Sequence, residues 1–368
     1  MLIVTNRRVT EGRSDPHALG DRPSDLGPNE LRFFTADPTP AGTPDPAGNT
    51  FRLKPIPDTL PADRIDQLAL TPADRAALDA DQPLHGSRWA ADRLVRDGRH
   101  AVFFVHGYNT TVADALARAA QIERDFGVQV VVFSWPANGG GIRGTASYLA
   151  DKADARASAP ALLRALHLLG QHLLGLRAPA ARDVAARLRN TSPDGPRLDR
   201  LAATAAASLC PIALTLLGHS MGNYLLKQVF MSALATAIPL LFDNVVLSAA
   251  DTNHRDHPRW VDRIDCRNRL YVCINEDDAA LGVSRMKAGD LQRARLGHTA
   301  RQLDAARATY VDFTDAPHIG RAHTYFGGDP LSNNHVRAFF QQAFTGQRAE
   351  RPLPYNPARN LHRLADVG

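Results

Sequence analysis

The chain has 368 residues, 44% of them hydrophobic and 22% charged, enough for one large core or two smaller ones. Its net charge of +5 is spread among interspersed Arg and acidic residues with no run of five like charges, which argues against a nucleic-acid partner. Cys210, Cys266 and Cys273 are odd in number and form no C-x-x-C, so neither a disulfide framework nor a zinc site is expected. Met1-Leu2-Ile3-Val4 is too short an apolar run for a signal peptide, and no stretch reaches ~18 apolar residues. The expectation is a cytoplasmic protein without a transmembrane segment.

Residues 1–98 read as an N-terminal extension packed on a core. Nine of the 25 prolines fall within residues 1–60, among short extended runs at Leu2–Val4, Leu31–Phe34 and Phe51–Leu53. These are expected as edge strands or a wrapped extension, with loops near Asp37–Asn49. Helical patches follow at Ala73–Ala80 and Arg88–Arg96, with Gly98 as a stop.

Regular alternation starts at residue 99 and runs to about 345. Ala101–Val105 is an apolar run suited to a buried strand, and it ends in His106-Gly107-Tyr108-Asn109. Thr110 or Thr111 can cap a helix whose apolar face is Val112, Ala115, Leu116, Ala119, Ile122 and Phe126, with Gly127 as its stop. Val128–Phe133 is the next strand, before Ser134-Trp135-Pro136. A glycine-rich loop and a long helical stretch bearing Leu162, Leu166, Leu169 and Leu173 come after it. Residues 177–208 are Ala/Arg-rich, broken near Asn190–Pro196, and read either as a small helical cap over the carboxyl end of a sheet or as ordinary crossover helices. Further strands are expected at Ile212–Leu217, Asn244–Ser248, Leu270–Ile274 and Thr309–Phe313, a closing helix at Leu331–Phe344, and a Pro/Arg tail over 346–368. Strand and helix alternating at this spacing imply an α/β class with a mostly parallel, doubly wound sheet flanked by helices.

The chemistry concentrates at Gly218-His219-Ser220-Met221-Gly222, which joins the strand Ile212–Leu217 to a helix with apolar face Leu225, Leu226, Val229 and Phe230. A serine on such a sharp turn is held in a strained backbone conformation, and Gly218 and Gly222 remove the Cβ atoms that would clash as strand and helix close. A serine hydroxyl also needs a base, an acid to orient that base and donors for an oxyanion. The N–H of Met221 and that of Tyr108, beside the permissive Gly107, are the expected donors, with Asn109 supporting the turn and His106 bracing it. Asp278 and Asp251 both close strands and compete as the acid. His318, His323 and His335 all lie late enough to be the base, and His323 is favoured because it lies in a loop. Trp135 is a candidate lining for an acyl pocket.

Two patterns are decoys. Gly139-Gly140-Gly141-Ile142-Arg143-Gly144 fits G-x-G-x-x-G, but Trp135-Pro136-Ala137-Asn138 intervene after the strand and no acid follows at the ribose position. Asp251, His254, Asp256 and His257 suggest a metal, but the spacing fits no known ligand set and a solvated loop is the expected state. Neither metal nor cofactor is expected.

Together, Val-His-Gly-Tyr-Asn at 105–109, Phe-Ser-Trp-Pro at 133–136, Gly-His-Ser-Met-Gly at 218–222, Ala-Ala-Asp at 249–251, Asp278 to Leu281 and His-Thr-Tyr-Phe at 323–326 resemble the α/β-hydrolase superfamily. More narrowly, they resemble its bacterial branch catalogued as domain of unknown function 900, with a weaker echo in Thr5-Asn6-Arg7. The resemblance implies the α/β-hydrolase fold, a triad of Ser220, Asp278 and His323, and esterase- or lipase-like hydrolysis of a small-molecule or lipid ester. A thioesterase or amidase on the same fold, or a catalytically silent scaffold binding a partner or lipid, are the alternatives.

Overall fold

The computed structural model describes residues 1–39, 50–137, 144–189, 212–286 and 294–365. All of the glycine pattern but Gly144 falls outside these residues, as do Cys210 and residue 190 onward of the expected cap.

The N-terminal third carries β1 (Leu2–Thr5), β2 (Arg7–Val9), β3 (Leu19–Pro23), β4 (Arg32–Pro38), β5 (Phe51–Ile56), α1 (Ala62–Ile65), α2 (Pro72–Asp79) and α3 (Gly86–Asp97). There follow β6 (Ala101–Val105), α4 (Val112–Phe126), β7 (Gln129–Ser134), α5 (Gly144–Arg189), β8 (Leu214–His219) and α6 (Gly222–Met231). The last part holds β9 (Asn244–Ser248), α7 (Pro258–Val261), β10 (Arg269–Ile274), α8 (Ala279–Met286), β11 (Ala308–Asp312), α9 (Asn334–Phe344), β12 (Tyr355–Asn356) and β13 (Leu361–Arg363).

One sheet of eleven strands runs in the order β12-β13-β11-β10-β9-β8-β6-β7-β1-β4-β5. Every neighbouring pair from β13 to β1 is parallel, and the outer pairs β12–β13, β1–β4 and β4–β5 are antiparallel. The parallel strands are apolar on both faces because helices cover both. On β6, Ala101, Phe103 and Val105 face a core shared with α3, α5 and α6, while Val102 and Phe104 face one shared with α4 and α9.

Local signals set the helix ends. Thr111 caps α4 reciprocally with Asp114, and Gly127 ends it at φ +64°. Gly98 ends α3 at φ +74° in the same way.

Three expectations change. The run at Leu2–Val4 is no edge strand: β1 is buried between β7 and β4, pairing parallel with one and antiparallel with the other. The C-terminal segment expected as a tail supplies β12 and β13, and β13 pairs with β11. Residues 177–189 continue α5 without a break, so no separate helix starts there. Among the described residues no helix is long and apolar enough to cross a membrane.

Candidate active site

β8 delivers Ser220 to a turn at the carboxyl end of the sheet. Ser220 has φ +53°, a left-handed conformation that costs an L-residue energy and must be held by its surroundings. Three contacts hold it. Ser220 N–H donates to Ser248 O at 3.1 Å, and Asp251 N–H donates to Ser220 O at 3.2 Å. The buried Asn223 amide donates to Gly218 O, Ser248 O and Ser220 O at 3.0–3.3 Å. Gly222 permits the close approach: a Cβ there would lie 2.3 Å from Val105 O and 2.7 Å from His106 O.

The turn after β6 rides directly over the serine. A Cβ on Gly107 would lie 2.8 Å from Ser220 Cβ. His106 is buried and stacks on Trp135 at 5.4 Å and 7° between planes, and Trp135 Nε1–H donates to His106 O at 2.9 Å. Burial pushes the His106 imidazole down to about 3, with Arg7 adding to the effect, so it is neutral and fit for bracing. Asn109 takes φ +54°, which asparagine tolerates, and its N–H donates to Asp151 Oδ2 at 3.2 Å. Trp135 is fully buried, so it presents no surface to an acyl chain and acts as packing for His106.

α6 begins immediately after Met221, which places the positive end of its dipole beside Ser220, and Asn223 N–H donates to Ser220 O at 3.1 Å. Among the described residues the Ser220 hydroxyl makes no hydrogen bond to another protein group.

β10 and the loop after β11 bring the other two groups together. His323 Nδ1–H donates to Asp278 Oδ2 at 2.8 Å; Asp278 is fully buried and the imidazole is about a quarter exposed. Donation from Nδ1 leaves the Nε2 lone pair available. Asp278 Oδ1 accepts from Ala280 N–H and Leu281 N–H at 3.0 Å each, as the cap of α8. His219 packs its ring 4.9 Å from that of His323, and its Nε2–H donates to His323 O at 3.1 Å. Burial, then the neighbouring His323, holds His219 well below the usual histidine range. The elbow's own histidine therefore pins the loop that carries His323.

The competing residues lie elsewhere. The Asp251 carboxylate is buried and pairs with Arg295 at 3.1 Å, accepts from Ser284 Oγ–H at 2.6 Å and from Tyr148 O–H at 3.0 Å. His318 is exposed and lies 3.4 Å from Asp329; His335 is exposed at the start of α9. Asp251, His254 and His257 are buried rather than solvated: His257 bonds Tyr310 O–H through Nε2 and His254 O through Nδ1. Among the described residues no group of three or more His, Cys, Asp or Glu side chains is placed to hold a metal ion.

Asn223, Tyr148, Arg295 and Tyr325 join this site without having been singled out in the sequence. Tyr325, two residues beyond His323 in the His-Thr-Tyr-Phe run, was the one with a signal.

No curated protein and no solved structure matches the chain. The sequence model of one family does, that of an alpha/beta hydrolase of unknown function (DUF900), over residues 85–173 and 197–336. That match covers more than half of the chain, and it spans the strand-to-helix elbow and both loops that face it. The chain belongs to this family of alpha/beta hydrolases.

Proposed function

We propose that the protein is a serine hydrolase that cleaves a carboxylic ester through an acyl-enzyme. The observation that carries the reading is the Asp278–His323 hydrogen bond of 2.8 Å on the loops that flank a serine held at φ +53°. Ser220 Oγ attacks the carbonyl carbon while His323 Nε2 takes its proton. Asp278 holds the tautomer and stabilises the imidazolium as it forms. The N–H groups of Met221 and Tyr108 receive the developing oxyanion, with Gly107, Asn109 and His106 shaping the second of these donors. Collapse expels the alcohol, which takes the proton from His323. Water, activated by the same imidazole, then releases the acid and restores Ser220. The substrate is a small-molecule or lipid ester, and the chemistry needs no metal or cofactor.

The test is a panel of acyl esters, thioesters and amides, assayed with wild type and Ser220→Ala, together with labelling by a fluorophosphonate. Wild type is labelled at Ser220 and turns over esters; the variant does neither. Labelling that survives Ser220→Ala in a folded protein would remove Ser220 from the role. Faster turnover of thioesters than of matched oxygen esters would move the substrate class and leave the triad in place.

A further inference from the structure

We propose that Tyr325 is a positioning residue that acts through Asp278, holding the carboxylate so that the oxygen it shares with His323 stays aimed at the imidazole. The inference rests on the serine-hydrolase reading above. Tyr325 is fully buried, and its ring stacks on Phe313 at 5.2 Å and 22° between planes, which leaves the hydroxyl little freedom. The hydroxyl donates to Asp278 Oδ2 at 3.0 Å, the atom that also accepts from His323 Nδ1.

Asp278 needs such donors. It is buried, and among the described residues no Lys or Arg pairs with it. A buried carboxylate without a cation depends on hydrogen bonds to every lone pair. Oδ1 accepts from Ala280 N–H and Leu281 N–H and lies 3.0 Å from His323 Nδ1, against 2.8 Å for Oδ2. On Oδ2, among the described residues, the Tyr325 hydroxyl stands beside the imidazole. Burial, reinforced by the charge of Asp278, keeps the phenol well above its ordinary range, so it is a permanent donor. Because His323 and Tyr325 are two residues apart on one loop, that loop supplies both the base and the group that sets its acid.

The experiment compares wild type with Tyr325→Phe, which removes one oxygen and keeps the stacked ring. Three readouts are taken: thermal unfolding, kcat and KM on one activated ester, and the downfield proton resonance of the His323 Nδ1–H···Asp278 bond. Losing one hydrogen bond to a charged group lowers kcat by about tenfold to a hundredfold with KM unchanged. With its competitor gone, the His323–Asp278 bond tightens and the resonance moves further downfield. A merely structural tyrosine would lower the unfolding temperature and leave both kcat and the resonance where they were, and that result overturns the proposal. If Tyr325→Phe fails to fold, 3-fluorotyrosine at position 325 replaces it; its more acidic hydroxyl is a stronger donor and moves the resonance upfield, and no movement overturns the proposal. The resonance does not depend on turnover. A wild type that fluorophosphonate leaves unlabelled at Ser220 therefore refutes the hydrolase reading alone, while the resonance still decides the part played by Tyr325.

Discussion

Asp251 holds Ser220 with its backbone and turns its carboxylate away. Its N–H donates to Ser220 O at 3.2 Å, while the carboxylate pairs with Arg295 at 3.1 Å. Arg295 also reaches Ser284 and Asn253, and Ser284 sits on α8, the helix capped by Asp278. The buried ion pair thus ties the Ser220 turn to the helix that begins at the proposed acid.

This separates two carboxylates that the sequence alone leaves in competition. Asp278→Asn should keep the fold and lose kcat on the order of ten-thousand-fold, the loss expected when the group that fixes an imidazole tautomer goes. Asp251→Asn should do the reverse. It removes the carboxylate that pairs with the buried Arg295 and costs about 3–5 kcal/mol of stability, with kcat within about tenfold of wild type wherever the protein is folded. Adding Arg295→Met should recover much of that stability. Urea unfolding and initial rates on one ester check all three variants, and a large kcat loss on Asp251→Asn would return the acid to the earlier strand.

The strain at Ser220 makes a second prediction, about stability alone. At φ +53° a side chain is disfavoured and glycine is not. Ser220→Gly and Ser220→Ala both lack the hydroxyl and should both be inert, but the glycine variant should be the more stable of the two by about 1 kcal/mol. Equal urea midpoints would show that the turn relaxes when the serine is removed.

Two glycines should fail in different ways. A Cβ on Gly222 meets main-chain oxygens of Val105 and His106, which belong to β6 and the turn beyond it and cannot move aside. Gly222→Ala should cost about 3 kcal/mol, the upper end for overpacking. A Cβ on Gly107 meets chiefly the Ser220 side chain, at 2.8 Å from Cβ and 3.3 Å from Oγ. Gly107→Ala should therefore stay folded and lose fluorophosphonate labelling. Unfolding and labelling rates on both variants distinguish the two outcomes.

What the sequence shows and what it hides follow the range of the interactions. Ala101–Val105 and Asn244–Ser248 are found where the apolar runs lie, because burial on both faces writes itself into consecutive residues. The Gly-x-Ser-x-Gly turn is legible because its constraints are local. β13 is not, since three residues carry no periodicity and its strand character comes from pairing with β11, about fifty residues earlier. The same holds for Asp251 and Arg295, whose partnership spans the chain between β9 and the segment before β11. Tyr325 is the middle case: the residue stands in a conspicuous run, but its partner Asp278 is set by the fold.

The last prediction concerns acid. Burial holds the imidazoles of His106, at about 3, His172, at about 4, and His219 below the usual value of 6.5. His254 and His257 are lowered as well, again chiefly by burial. These groups are neutral in the folded protein and take up protons near pH 6.5 once it unfolds. Between that value and their folded ones the unfolded chain binds more protons, so stability rises with pH and is lost as pH falls. Each such histidine steepens the loss by up to about 1.4 kcal/mol per pH unit inside its window. Asp74 and Glu350, held below the ordinary carboxylate range despite the opposing effect of burial, lose their contribution only at lower pH, near and below 4. Urea midpoints should therefore fall steeply from pH 6.5 to 5, before the carboxylates titrate. His219→Gln removes one proton from the balance and keeps a donor toward His323 O. Its stability deficit relative to wild type should be larger at pH 7.5 than at pH 5. A deficit that is constant across this range would mean that His219 binds protons alike in the folded and unfolded chain, and a deficit larger at pH 5 would mean that the fold favours its protonated form; either result contradicts an imidazole held neutral by burial.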